Sequence, residues 1–241
     1  MPSIQTPDLI RDSWKAPIVV AHRGGAAYHA ENTREAYQAA IEMGMRMSET
    51  DIHLSQDGEM VVMHDKTLDR TTSLKGAVVE TPWATMKKAG IPSLADLLQV
   101  TKDRTNLIIE IKDGVGIEQK MVDLLKKEKM IDQTVMFSFA GERVKLTKEL
   151  SPKTYSVWLS AKKPELPGFF DTVKSYGADA FGVQFKNCTP ELVAAAHARK
   201  MPIFVWTVPP GPEIDRLKAL KVNFIITDHP KDVQEQLFGS R

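Results

Sequence analysis

Five ionisable side chains stand where short apolar runs of this chain give out. His22 follows Ile18–Ala21, Glu49 and Asp51 close Arg46–Asp51, Glu110 closes Leu107–Ile111, and His64 follows the alternating stretch Met60–Met63. Brought together, three carboxylates would repel one another, and at least one would keep its proton near neutrality. A divalent cation removes that conflict. An all-oxygen donor set favours a hard ion (Mg²⁺, Ca²⁺ or Mn²⁺) over zinc, and no cysteine or paired-histidine motif points elsewhere. Two imidazoles beside such an ion can supply a base and an acid near neutral pH, each contributing roughly 10²–10⁴ in rate. Arg23 offers a planar fork for phosphate oxygens and Lys112 a point charge. For any one carboxylate the plain alternative is an ion pair with Arg23 or Lys112; for any one histidine it is a structural hydrogen bond. The combination favours metal-assisted cleavage of a phosphate ester.

The elements that must position these groups can be read from the same pattern. Asp57-Gly58 lies between alternating stretches, a strong hairpin signal. With a two-residue loop Gln56 pairs with Glu59, which sets Asp51 opposite His64. Glu49, Asp51 and His53 then share one strand face, and His64 joins it across the ladder. His53 stands further out and is expected at the surface. His29, His197 and His229 have weaker claims on the site, and His197 is expected to be solvated.

Apolar, β-branched runs recur along the chain at Ile18–Ala21, Arg46–Asp51, Leu107–Ile111, Val135–Phe139, Tyr155–Leu159, Ala180–Phe185, Ile203–Thr207 and Phe224–Thr227. Helical spacing fills the intervals, as in Arg34–Met43, Leu94–Thr101, Ile117–Lys129, Arg143–Leu150, Phe169–Tyr176, Pro190–Arg199 and Glu213–Leu220. Near-continuous apolar strands suit a parallel sheet covered on both faces. Eight of them alternating with helices in 241 residues predict an α/β chain folded as a single (β/α)₈ barrel domain over residues 1–241, with a hairpin at about 51–64 and a short cap inserted after the second strand. Such a barrel collects its chemistry at the C-terminal strand ends, where the five groups lie, together with Trp206-Thr207 and Thr227-Asp228-His229-Pro230. Asn32 with Glu35, and Ser93 with Asp96, are candidate helix caps, and Pro190 suits a first helical turn.

Composition excludes several classes. The 32 Lys+Arg nearly balance the 31 Asp+Glu, and no basic stripe with interleaved aromatics suggests nucleic acid. The one cysteine, Cys188, rules out an internal disulfide and suits a reducing compartment, or one indifferent to redox. Residues 1–16 contain neither a basic start followed by an apolar run nor a stretch long enough to span a bilayer. The expectation is a soluble cytoplasmic protein without stable membrane association, or a periplasmic or secreted one processed from a longer precursor. Its oligomeric state is left open.

The chain resembles the glycerophosphodiester phosphodiesterase family. The matching pieces are His-Arg-Gly at 22–24, Glu-Asn-Thr at 31–33, Glu-Thr-Asp at 49–51, His-Asp at 64–65, Leu-Asp-Arg-Thr-Thr at 68–72, Glu-Ile-Lys at 110–112, Ser-Phe at 138–139, Trp-Thr at 206–207 and Thr-Asp-His-Pro at 227–230. They follow the family's order across nearly the whole chain. The resemblance implies hydrolysis of glycerophosphodiesters to glycerol 3-phosphate and an alcohol. It implies His22 and His64 as the acid–base pair, and Glu49, Asp51 and Glu110 as ligands of Mg²⁺ or Ca²⁺. Arg23 and Lys112 would hold the phosphate, Trp206 would wall the glycerol end, and Gln184 is a further candidate ligand contact. In the mechanism proposed for the family, the substrate's 2-hydroxyl attacks phosphorus to give a cyclic phosphate that water opens.

Three departures bear on the substrate. Ala30 replaces the usual Pro before Glu-Asn-Thr. Only residues 73–90 separate Leu-Asp-Arg-Thr-Thr from Ile91-Pro92-Ser93-Leu94, so the cap is trimmed and a more open mouth is expected. Pro209-Pro210-Gly211-Pro212 stiffens a rim loop. The rival readings are a phospholipase-D-like enzyme acting on lysophospholipid or sphingolipid head groups, and a non-catalytic barrel that binds phosphorylated sugars. Exposed Phe169 and Phe170 would favour lipid contact, whereas Pro167-Gly168 before them marks a helix start.

Overall fold

The structure is a computed structural model and describes residues 5–239. Strands β1 (Ile18–Ala21), β2 (Met47–Leu54), β4 (Asn106–Ile111), β5 (Thr134–Ser138), β6 (Tyr155–Ser160), β7 (Ala180–Gln184), β8 (Ile203–Trp206) and β9 (Phe224–Thr227) run parallel, and β1 pairs with both β2 and β9, which closes the barrel. Strand β3 (Met60–Val62) adds antiparallel to β2. Helices α2 (Arg34–Glu42), α4 (Leu94–Thr101), α5 (Ile117–Glu128), α6 (Gly141–Leu150), α7 (Gly168–Ser175), α8 (Pro190–Ala198), α9 (Pro212–Leu220) and α10 (Pro230–Phe238) follow the strands, α1 (Thr6–Ser13) precedes them, and α3 (Trp83–Lys88) lies in the cap. Among the described residues no helix is long and apolar enough to cross a membrane.

Strand parity divides the core in two. Val20, Met47, Ile108, Phe137, Leu159, Phe204 and Ile226 point into the barrel, where Phe204 stacks on Phe224 with ring centroids 4.0 Å apart. The alternate positions, such as Val19, Ile52, Leu107 and Ile109, pack outward against the helices. Because both faces are covered, the strands carry apolar runs and no polar alternation. The inward row continues above Met47 to Glu49 and Asp51, and above Ile108 to Glu110, so the residues that plug the barrel also form the floor beneath the acids.

Local signals account for several boundaries. Ser93 and Asp96 form the expected reciprocal cap of α4, and Pro190 opens α8 behind a Thr189 cap. The cap of α2 is Thr33, which accepts from the Ala36 N–H, and not Asn32. Phe169 and Phe170 are buried in α7 against Phe181, which removes them as lipid contacts.

The hairpin differs from expectation by one residue. Ile52 pairs with Val62, His53 with Val61 and Leu54 with Met60, so the loop is three residues, Gln56 to Gly58, with Gly58 at φ 81°. Asp57 accepts from Ser55 Oγ at 2.6 Å and from the Trp83 N–H at 2.9 Å, which places it second in the turn and leaves the left-handed position to Gly58. Asp51 consequently lies opposite Met63, whose N–H donates to its carbonyl at 3.0 Å. On a continued ladder that slip would turn His64 to the other face. Strand β3 ends at Val62, however, and the chain leaves the ladder before His64. His53 is buried (4% exposed), against the expectation of a surface residue, and its Nε2 donates to the His64 carbonyl at 3.2 Å. Residues 61–91 pack around their own small core of Val61, Met63, Leu68, Val78, Met86 and Ile91 beside the barrel mouth.

Candidate active site

At the C-terminal end of the barrel a cavity is lined by His22, Arg23, Glu49, His64, Glu110 and Lys112 on one side and by Phe137, Phe139, Leu159, Trp206, Thr207 and Ile226 on the other. Both predicted histidines therefore share one bowl with Glu49 and Glu110, although the hairpin delivers His64 by a bend and not by the ladder. Among the described residues the cap (residues 73–90) contributes none of the lining.

The turn after β1 is built for close packing. Arg23, Gly24 and Gly25 all have positive φ (50°, 83° and 94°), and a Cβ on Gly24 would lie 2.8 Å from the Ala36 Cβ. Glycine lets helix α2 press against the turn, and the curled backbone aims the Arg23 N–H at Glu49 Oε2, 3.1 Å away. Asn32, also at positive φ (59°), donates to Asp51 Oδ2 at 3.0 Å and accepts from the Tyr37 hydroxyl at 2.7 Å. The residue read as a helix cap is thus a strut for an acid.

Glu49, Asp51 and Glu110 present oxygens within 4.8 Å of one another, and all three are buried. Asp51 and Glu110 are direct partners in register. Lys112 Nζ lies 2.6 Å from Glu110 Oε1 and 3.0 Å from Asp51 Oδ1, and Arg23 Nε lies 3.5 Å from Asp51 Oδ2. Two cations against three carboxylates leave a negative charge over. Asp51 Oδ1 also has no aligned hydrogen-bond donor despite the nearness of Lys112. The ion-pair alternative is therefore real but incomplete, and a buried all-oxygen cluster with an orphaned lone pair fits a divalent cation.

Burial pushes the Glu110 carboxyl up to about 7, with Asp51 adding to the rise and Lys112 opposing it. Burial also raises Glu49, further helped by Asp51 and Glu110. Asp51 goes the other way: burial raises it, but Lys112 and Arg23 outweigh burial and hold it below its ordinary value. A carboxyl with a raised folded pKa is most stabilising while protonated, and that contribution is lost as pH rises through about 7. In EDTA, Glu110→Gln should therefore raise Tm more at pH 8 than at pH 5.5. An equal gain at both would show that Glu110 is already ionised at the lower pH.

Each histidine is backed by an acid. His22 Nδ1 is 2.6 Å from Asp228 Oδ1, and His64 Nδ1 is 2.7 Å from Asp65 Oδ1. An ionised carboxylate only accepts, so each Nδ1 carries the proton and each Nε2 is left free. His22 Nε2 lies 3.9 Å from Glu49 Oε2. Burial lowers the His64 pKa, opposed by Asp51 and Asp65. Asp228 and Asp65 were not singled out in the sequence, although both stand inside quoted motifs. Trp206 meets Phe139 edge-on with centroids 5.4 Å apart. Gln184 ends β7 in register with Trp206 but is not among the lining residues. His29 lies away from the cavity, His229 is held 3.4 Å from Asp232, and His197 packs against Trp14 with centroids 5.1 Å apart and is partly buried.

These features define a (β/α)₈ barrel with an acidic cation cluster faced by two aspartate-backed histidines. Residues 22–232 match the glycerophosphoryl diester phosphodiesterase family, and the chain belongs to that family. A glycerophosphodiester phosphodiesterase of Caldanaerobacter subterraneus subsp. tengcongensis is 30% identical over 242 residues, covering 89% of this chain and 95% of that protein. The crystal structure of a glycerophosphodiester phosphodiesterase from Thermotoga maritima is 26% identical with a TM-score of 0.77, covering 92% of this chain and 98% of that one. An Oleispira antarctica phosphodiesterase, solved in complex with the product sn-glycerol-3-phosphate, shares the fold with a TM-score of 0.85 at 23% identity, covering 92% of this chain and 98% of that one.

Proposed function

We propose that this chain is a phosphoric diester hydrolase that cleaves glycerophosphodiesters to glycerol 3-phosphate and an alcohol, using the cavity at the top of one barrel domain. The observation that carries the assignment is the joint lining of that cavity by His22, His64, Glu49 and Glu110, with Arg23 and Lys112 beside them and Asp51 buried against the two glutamates. Glu49, Asp51 and Glu110 would hold one Mg²⁺ or Ca²⁺ ion, which supplies charge neutralisation to the phosphate when bound. Arg23 and Lys112 hold the non-bridging phosphate oxygens. Trp206 and Phe139 form the apolar wall along which the glycerol carbons lie.

Proton transfer falls to the two imidazoles. One Nε2 takes the proton of the substrate's 2-hydroxyl as its oxygen bonds to phosphorus; the other protonates the departing alkoxide as its P–O bond breaks. In the second half the roles exchange: water is deprotonated, attacks the cyclic phosphate, and the 2-oxygen regains its proton. Asp228 and Asp65 keep both rings in the tautomer this requires. The buried thiol of Cys188 is in keeping with a reducing compartment, and we place the reaction in the cytoplasm.

A panel of glycerophosphocholine, glycerophosphoethanolamine, lysophosphatidylcholine and bis(p-nitrophenyl) phosphate, assayed with Mg²⁺, with Ca²⁺ and with EDTA, tests this reading. The expected outcome is cation-dependent release of glycerol 3-phosphate from both glycerophosphodiesters at similar rates, since a cap that supplies no lining residue would place few contacts on the alcohol. Turnover confined to lysophosphatidylcholine would overturn the substrate assignment. A sharp preference for one head group would refute the inference drawn from the short cap.

A further inference from the structure

Leu68-Asp69-Arg70-Thr71-Thr72 lies on the segment after the hairpin, and none of these residues lines the cavity. Arg70 nevertheless reaches two walls of it through its guanidinium. Its Nε and Nη2 donate to Asp65 Oδ2 and Oδ1 at 2.6 and 3.0 Å. Its Nη1 and Nη2 donate to Glu31 Oε2 and Oε1 at 2.7 and 2.7 Å. The two carboxylates pass this geometry on: Asp65 Oδ1 accepts from His64 Nδ1 at 2.7 Å, and Glu31 Oε1 accepts from Arg23 Nη1 at 2.9 Å. One planar fork thus sets the acid behind a cavity histidine and the acid behind the cavity arginine.

We propose that Arg70 is a positioning residue that aims His64 and Arg23 at the phosphate together, by fixing Asp65 and Glu31 at a set separation and angle. The proposal rests on the reading above that His64 and Arg23 act on the phosphate. The turn carrying Arg70 is itself held: Leu68 is buried in the cap core, its N–H donates to the Gly76 carbonyl at 3.0 Å, and the Gly76 N–H donates to Asp69 Oδ2 at 3.1 Å. The trimmed cap therefore still delivers a rigid arm to the site. Without the fork, Asp65 and Glu31 would be two neighbouring carboxylates with no common partner. Asp65, held well below the usual carboxylate range chiefly by its hydrogen bonds from Arg70, would be a less fixed acceptor for the His64 ring. The Arg70 side chain is 47% exposed, so its ion pairs contribute little to stability, and positioning is the effect that geometry favours. A lysine cannot take its place: three donors on one nitrogen do not span two carboxylates in a plane.

Arg70→Gln, Arg70→Lys, Asp65→Asn, Glu31→Gln and the double variant Arg70→Gln/Asp65→Asn, assayed at saturating cation well below each Tm, separate positioning from a merely structural role. Asp65→Asn should lower kcat by about tenfold or more with KM little changed, and Glu31→Gln should chiefly raise KM. Arg70→Gln should do both, Arg70→Lys should restore neither, and the double variant should have a kcat no lower than that of Arg70→Gln within about twofold. Retention of kcat and KM within about twofold in Arg70→Gln, or full rescue by Arg70→Lys, would overturn the proposal. The downfield proton NMR signal of His64 Nδ1–H, assigned by its absence in His64→Ala, gives a readout that needs no turnover. It should be lost to exchange in Arg70→Gln, and its persistence there counts against Arg70. A wild type inactive on every diester would refute the assigned reaction, while the NMR signal still decides the positioning role.

Discussion

Replacing either His22 or His64 with alanine should lower kcat for glycerophosphodiester hydrolysis by about 10²-fold or more and change Tm little. The size of the effect follows from the absence of a substitute. Asp228 and Asp65 stand behind the rings, 2.6 and 2.7 Å from the Nδ1 atoms, and neither lines the cavity, which otherwise offers cations and carboxylates committed to one another. The two variants should part company on a better leaving group. The p-nitrophenolate anion departs without a proton, so with the p-nitrophenyl diester of glycerol 3-phosphate, which keeps the attacking 2-hydroxyl, first-turnover release of p-nitrophenolate should depend far less on the histidine that serves as acid to the alkoxide and should still require the base. Comparing that first turnover with turnover of glycerophosphocholine for both variants assigns the roles. An unchanged rate for either variant on glycerophosphocholine clears that histidine of proton transfer.

Exhaustive chelation should cost more still. Loss of a cation from this cluster would forfeit several kcal/mol of charge stabilisation, roughly a thousandfold in rate. It also leaves three buried acids that must share two cationic side chains, and with Glu110 near 7 the empty cluster fills partly with protons. Added Mg²⁺ or Ca²⁺ should restore activity, and Asp51→Asn should not be restored by either at concentrations that saturate the wild type. Asp51 is the sharper choice of variant because Arg23 and Lys112 hold it ionised and its Oδ1 is the orphaned atom. Full turnover after chelation, confirmed by metal analysis, would remove the cation from the account.

What the sequence revealed of this site, and what it hid, divides along physical lines. The strand-end rule found His22, Glu49, Asp51, Glu110 and Lys112, because in a closed parallel barrel position along a strand nearly determines position in space. The hairpin register is not legible locally because Asp57-Gly58 is compatible with two-residue and three-residue loops. The choice was made by hydrogen bonds from Ser55 and from Trp83, a residue 26 positions away that no local pattern announces. His64 reached the cavity regardless, since β3 ends before it. Nothing local in the sequence shows that the His53 Nε2 is spent on the His64 carbonyl, which buries a side chain expected at the surface. Asn32 looked like a cap because Asn caps helices; its actual role depends on a strand 19 residues on. The Asp228 and Asp65 partners of the histidines lay in plain view within motifs, but their pairing is tertiary. Helices α1 and α10 carry weak local signals, a Pro at the first turn of each and no side-chain cap.

The central claim is that one cavity gathers the acidic cluster, the phosphate-holding cations and both imidazoles around a single phosphate. Anomalous diffraction from crystals grown with Mn²⁺ and glycerol 3-phosphate tests it most directly. The account predicts a manganese peak bounded by Glu49, Asp51 and Glu110, with the phosphate between that peak and the Nε2 atoms of His22 and His64. A peak away from those three carboxylates, or a phosphate beyond the reach of His64, would contradict it.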